Sequence, residues 1–121
     1  MKKGLKLLEK KLPRWSQDAG TTGLYYWQFG SLATFQAGGA AWGRWMKAAK
    51  KALLPTQITG AERCDLGSWP AQVRVQEVGY NRDVWQTVWA RQGGRVYVTA
   101  MACLTLQAHT RYPRPFRPKK R

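Results

Sequence analysis

The sequence predicts a mainly α-helical fold made of helical hairpins in two layers, with an irregular insertion over 70–92. Three observations carry this. Apolar residues recur at spacings of three and four in four segments. Those segments alternate between apolar on nearly every face and apolar on one face only. The composition, 44% hydrophobic and 22% charged over 121 residues with seven tryptophans, suits one globular domain and excludes wholesale disorder.

The first element is a short helix over residues 2–12, where Leu5, Leu8 and Leu12 recur with lysines between them and Pro13 closes the run. Residues 14–22 hold Ser16, Asp18, Gly20, Thr21 and Thr22, the turn chemistry expected ahead of a helix. The second helix, 23–37, carries Leu24, Tyr25, Tyr26, Trp27, Phe29, Leu32, Ala33 and Phe35 on nearly all sides and is expected to be enclosed. Gly38–Gly39 supplies its stop. The third helix, 40–54, is one-faced. Trp42, Trp45, Met46, Ala49 and Leu53 form a stripe to be buried, while Arg44, Lys47, Lys50 and Lys51 face water.

Between 57 and 94, Gly60, Asp65, Gly67 and Pro70 mark turns, and Val73 and Val75 alternate with polar residues as in a short strand or extended arm. Tyr80, Trp85 and Trp89 call for burial. Gly93–Gly94 then breaks the chain ahead of a final helix over 95–109, with Val96, Tyr97, Ala100, Met101, Cys103, Leu104 and Ala108 inward. Pro113, Pro115 and Pro118 favour an extended tail. The organisation expected is therefore a basic N-terminal helix at 1–14, a helical domain at 15–112 and a basic proline-rich tail at 113–121. A helix apolar all round needs neighbours on both sides, which one amphipathic partner does not supply. Hairpins with inner helices enclosed and outer helices wet do supply them, and such repeats complete one another's cores.

The formal net charge is +15, concentrated in residues 1–14 with +5, 41–51 with +4 and 111–121 with +6. Such a surface suits an anionic partner, nucleic acid or lipid, approached through the tails and through the cations Arg44, Lys47, Lys50 and Lys51. Two cysteines, Cys64 and Cys103, form no disulfide framework. No secretory signal follows Lys2–Lys3, and no apolar run approaches the roughly 20 residues of a membrane span. A cytoplasmic chain, with peripheral membrane contact open to it, is the expectation.

Several segments stand in a characteristic order. They are Gly23-Leu-Tyr-Tyr-Trp-Gln-Phe-Gly30, Phe35-Gln-Ala-Gly-Gly39, Trp42-Gly-Arg-Trp45, Leu54-Pro-Thr-Gln57, Gly67-Ser-Trp69 and Gly93-Gly-Arg-Val-Tyr-Val-Thr-Ala100. Together, over roughly residues 16–112, they resemble the prenyltransferase and squalene-oxidase repeats of terpene-cyclase-like proteins. The resemblance implies a partial α/α toroid. It also implies that Gln57, Gly67 and Trp69 tie the end of an outer helix to the next inner one, with Gly93, Gly94, Arg95 and Tyr97 completing the motif. The chain departs from the short form of the pattern by the longer separation of Gln57 from Gly67 and by the insertion between Pro70 and Gln92.

Catalysis in that family would need an Asp-x-Asp-Asp acid or paired carboxylates for magnesium, whereas Asp18, Asp65 and Asp83 are isolated. A zinc set drawn from Cys64, Asp65 and His109 does not match the family's spacing. No catalytic residue, metal or cofactor is assigned. Tyr25, Tyr26, Trp27 and Phe29, with Tyr97, are candidates for the wall of an apolar pocket, the alternative being core packing. The expected function is a non-catalytic helical-repeat module that packs on further repeats or on itself. Part of a cyclase or prenyltransferase-type enzyme needing further repeats, and a basic nucleic-acid-binding module, are the alternatives.

Overall fold

The structure, a computed structural model of the chain, describes residues 2–15, 23–60, 64–77, 80–85 and 88–113. The element order is α1 (Lys2–Lys10), α2 (Leu24–Ala37), α3 (Gly39–Leu53), a 3₁₀ turn (Leu54–Thr56), β1 (Gln72–Glu77), β2 (Tyr80–Trp85), α4 (Val88–Leu106) and α5 (Ala108–Arg111). The chain is mainly helical, as its periodicity predicts. The turn residues at 16–22 and the tail at 114–121 lie outside the described residues.

α2 and α3 form a helical hairpin joined at Gly38, which with Gly39 has φ of 71° and 59°. Those positive values suit glycine, which alone reverses the chain here without Cβ strain. Contacts recede from the turn in step on both helices: Phe35 meets Trp42 edge-on at 5.1 Å, and further out Ser31 meets Trp45. Gly30 permits the close approach, since a Cβ there would stand 2.2 Å from Cζ2 of Trp45. The indole Nε1–H of Trp45 donates to Ser31 Oγ at 2.8 Å, and Tyr26 packs edge-on to the same ring at 5.6 Å. Trp45 is thereby 1% exposed. Trp42, expected to be buried, is only partly so, because it sits at the hairpin's turn end against Phe35 and His109 of α5.

α2 lies against α3 and α4 and also touches α1 and α5. The core joins Leu24 and Trp27 of α2, Ala52 and Leu53 of α3, Trp69 and Ala71 of the connecting segment, and Ala90, Val98 and Ala102 of α4. Burial of these side chains, at about 25 cal/mol per Å² of apolar surface removed from water, is the main force holding the helices together.

Five expectations are corrected. The insertion is not irregular: β1 and β2 pair antiparallel from Gln72↔Trp85 to Glu77↔Tyr80, so the Val73–Val75 alternation belongs to a strand. The side chains of Tyr80 and Trp85 lie outside the described ones. The final helix begins earlier, at Val88, bends at Gly94 (φ 59°, ψ −152°) and ends at Leu106, with Gln107 as a turn before α5. Its inward stripe is Val98, Ala102 and Thr105. Val96 is 81% exposed and Ala100 is exposed, because they stand on the other side of the helix from Val98 and Ala102, which pack on the core. Trp89 is 59% exposed rather than buried. Finally, α2 is not enclosed, since Tyr25, Tyr26 and Phe29 are exposed where α3 and α4 cover the helix only in part.

Candidate functional site

The segment after α3 folds back on itself and is clamped to α4. Its residues come from the end of one helix, a turn at 64–67 and the bend of the next helix. Gln57 donates from Nε2 to the Gly67 carbonyl at 2.7 Å. Ile58 N–H donates to Ser68 O at 2.8 Å, and Gly67 N–H returns a bond to Ile58 O at 2.9 Å, so the strand-like pair is closed by main chain as well as side chain. Trp69 is buried and donates from Nε1 to Leu53 O at 2.8 Å, satisfying a carbonyl in the last turn of α3. Its own N–H donates to Thr99 Oγ1 of α4 at 3.1 Å.

Arg95 enters the same corner from beyond the bend. Its guanidinium pairs with Asp65 and reaches Ser68 Oγ at 3.4 Å, while Ser68 Oγ donates to Asp65 O at 2.6 Å. Gly94 makes this possible: its φ of 59° with ψ of −152° is a conformation that side-chain-bearing residues avoid, and it lets the helix bend just before Arg95. The motif residues Gln57, Gly67, Trp69, Gly94 and Arg95 are thus brought together at one corner. Gly93 packs against the Tyr97 side chain in the same helix, where a Cβ would stand 2.5 Å from Cβ of Tyr97. The sequence reading missed Asp65, Ser68 and Thr99 as members. The signal available was an acid and a base in an otherwise charge-balanced stretch.

The four aromatic residues of α2 separate. Trp27 enters the core, tilted against Trp15 at 6.4 Å. Tyr26 donates from its hydroxyl to Lys11 O at 3.1 Å. Tyr25 and Phe29 stack at 4.6 Å on the outer side, and Tyr25 joins Trp89 and Tyr97 of α4 around a cavity of about 390 Å³. Trp89 is a wall residue that sequence reasoning assigned to the interior. Desolvation by burial raises the phenol of Tyr26, and it raises that of Tyr97 as well, with Tyr25 adding a smaller like-charge effect. Both phenols therefore stay neutral throughout the neutral range. A neutral aromatic cavity of this kind can hold or pack an apolar group, and its lining among the described residues, Tyr25, Trp89 and Tyr97, is aromatic.

The anion-binding candidates also divide. Arg44 is paired with Glu9 of α1. Lys47, Lys50 and Lys51 are exposed. Cys64 and Asp65 stand in the 64–67 turn, whereas His109 lies against Trp42 at 6.2 Å. No group of three His, Cys, Asp or Glu side chains able to hold a metal ion occurs among the described residues. The side chains of Asp18 and Asp83 lie outside the described ones. No helix is long and apolar enough to cross a membrane among the described residues. Comparison of the chain with models of protein families, with curated proteins and with solved structures finds no match.

Proposed function

We propose that this chain is a non-catalytic packing module of the helical-repeat kind, one that completes its core against further hairpins of an α/α toroid or against a second copy of itself. The observation that supports the reading is the uncovered apolar side of α2 and α4, where Tyr25, Phe29 and Trp89 are all exposed. A patch of large apolar groups on two neighbouring helices is an interaction surface in most soluble proteins. The clamped corner supports it further. Gln57, Trp69 and Arg95 hold the outgoing helix in one direction, which is what stacking successive hairpins requires. The unpaired Cys64 and Cys103 accord with a reducing, cytoplasmic setting.

Sedimentation velocity from about 0.05 to 0.5 M salt tests the proposal. The +15 charge opposes self-association at low salt and is screened as salt rises. Association that grows with ionic strength and is lost in a Phe29→Gln/Trp89→Gln variant is the expected outcome. A strict monomer at every salt, with no capture by a synthetic helical hairpin bearing an apolar face, would remove the basis of this reading.

A further inference from the structure

The outer face of α1 combines cations with one aliphatic group. Leu7 is 66% exposed, and Lys3 and Lys10 stand one turn to either side of it, with Lys6 next to them. The opposite face, with Leu5, Leu8 and Glu9 half-buried, packs on α2 and α3. The Glu9–Arg44 pair sets the direction of the chain that leaves α1. It runs beside α3, so that Arg14 and Lys51 both reach a cleft of about 470 Å³ whose floor includes Pro13, Trp15, Ala48 and Ala52. Lys47 lies one turn before Lys51 on the same stripe of α3 as Arg44. Cations from two elements are gathered on one side of the molecule. The only acidic residue within 1–15 and 39–56 is Glu9, which Arg44 already neutralises.

We propose that this side docks on an anionic lipid bilayer, with α1 in the plane of the interface and Leu7 inserted at the headgroup boundary. The reading is independent of the packing role, which uses Tyr25, Phe29 and Trp89. Three features favour lipid over nucleic acid. An aliphatic side chain ringed by lysines has an apolar phase to enter at a membrane and none on a phosphate backbone. The exposed aromatic groups that would stack on bases gather elsewhere: Tyr25, stacked on Phe29, lines with Trp89 and Tyr97 a cavity separate from the cleft of Arg14 and Lys51. Lysines predominate over arginines on the face, as suits attraction to a charged surface rather than bidentate recognition.

Vesicle co-sedimentation of the full chain tests this, with phosphatidylserine–phosphatidylcholine vesicles against phosphatidylcholine alone at physiological ionic strength. Binding to the mixed vesicles only, weakening as salt rises, is expected. Leu7→Gln should lower the affinity about tenfold through the lost insertion. Lys47→Gln/Lys51→Gln should lower it roughly 20- to 30-fold. Lys50→Gln, further round α3 from Arg44 than Lys47 and Lys51 are, should cost less than about threefold. All four positions are exposed, so the helical circular dichroism of the variants should match the parent. Equal binding to both vesicle types, an unchanged Leu7→Gln protein, or a Lys50→Gln loss as large as that of the pair would overturn the proposal. Retention on single-stranded RNA or duplex DNA in preference to the mixed vesicles would overturn it in favour of nucleic acid.

Discussion

Replacing Gly30 with alanine separates tertiary packing from intrinsic helix preference, because the two predict opposite signs. On propensity alone, alanine in a helix interior is about 1 kcal/mol better than glycine. In the structure, the new Cβ would stand 2.2 and 2.3 Å from Cζ2 and Cη2 of Trp45. The indole is 1% exposed and anchored through Nε1 to the buried Ser31 hydroxyl. It has no open space to retreat into, so α2 and α3 must part or the ring must turn off its hydrogen bond. Overpacking of this kind costs about 1–3 kcal/mol, and a buried hydrogen bond left unmade costs about 1–3 kcal/mol. After the propensity gain, the net loss should be about 1–5 kcal/mol. Guanidinium melts followed by tryptophan fluorescence and by far-ultraviolet dichroism would measure it. A Gly30→Ala protein as stable as the parent, or more so, would refute the close approach of α3 to α2.

Gly43→Ala is the matched control: its Cβ meets nothing within 4 Å in exposed α3, and the same melts should show a gain of about 0.5–1 kcal/mol. Gly94→Ala also has open space around the Cβ, yet should lose about 1–3 kcal/mol because φ of 59° with ψ of −152° strains any other residue; thermal melting reads this directly. Trp69→Phe removes the bond to Leu53 O and leaves a gap in the core, for a loss of about 2 kcal/mol by denaturant melt. The tyrosines set an alkaline limit. Tyr26 and Tyr97 have phenols raised above 10.0 in the folded chain, so their contribution is complete below the unfolded value and is lost as pH climbs through the folded ones. Stability should fall with pH above about 10, and Tyr97→Phe should flatten that fall. Spectrophotometric titration of the phenols checks their order of ionisation.

Much of the secondary structure was legible before any coordinates, since it rests on local chemistry. The spacing of Trp42, Trp45, Ala49 and Leu53 and the glycines at 38–39 are properties of adjacent residues, and α2 and α3 stand where they indicate. The lysines on α3 are exposed for the same reason, because one stripe of that helix is apolar and the other is charged. The corner residues Gln57, Gly67, Trp69 and Arg95 were legible as a motif, although the roles of Asp65, Ser68 and Thr99 were not. These three sit on turn and helix segments far from one another in the chain, and nothing local says they meet.

Burial was the harder matter. Val96 and Val98 are equally apolar, yet one is 81% exposed and the other fully buried. The difference is which face of α4 is turned to Leu24 and Trp27, since residues two apart point to roughly opposite sides of a helix. Tyr25 and Phe29 share a helix with Trp27 but look outward, because α3 and α4 cover only part of α2. The insertion was readable only as one alternating run, since a β-hairpin exists through pairing between two segments and neither segment contains that pairing by itself. Helix positions, charge and turn chemistry thus belong to the sequence alone. Which apolar faces are covered, which cations are paired and where an uncovered surface remains are decided by the neighbours that tertiary packing brings.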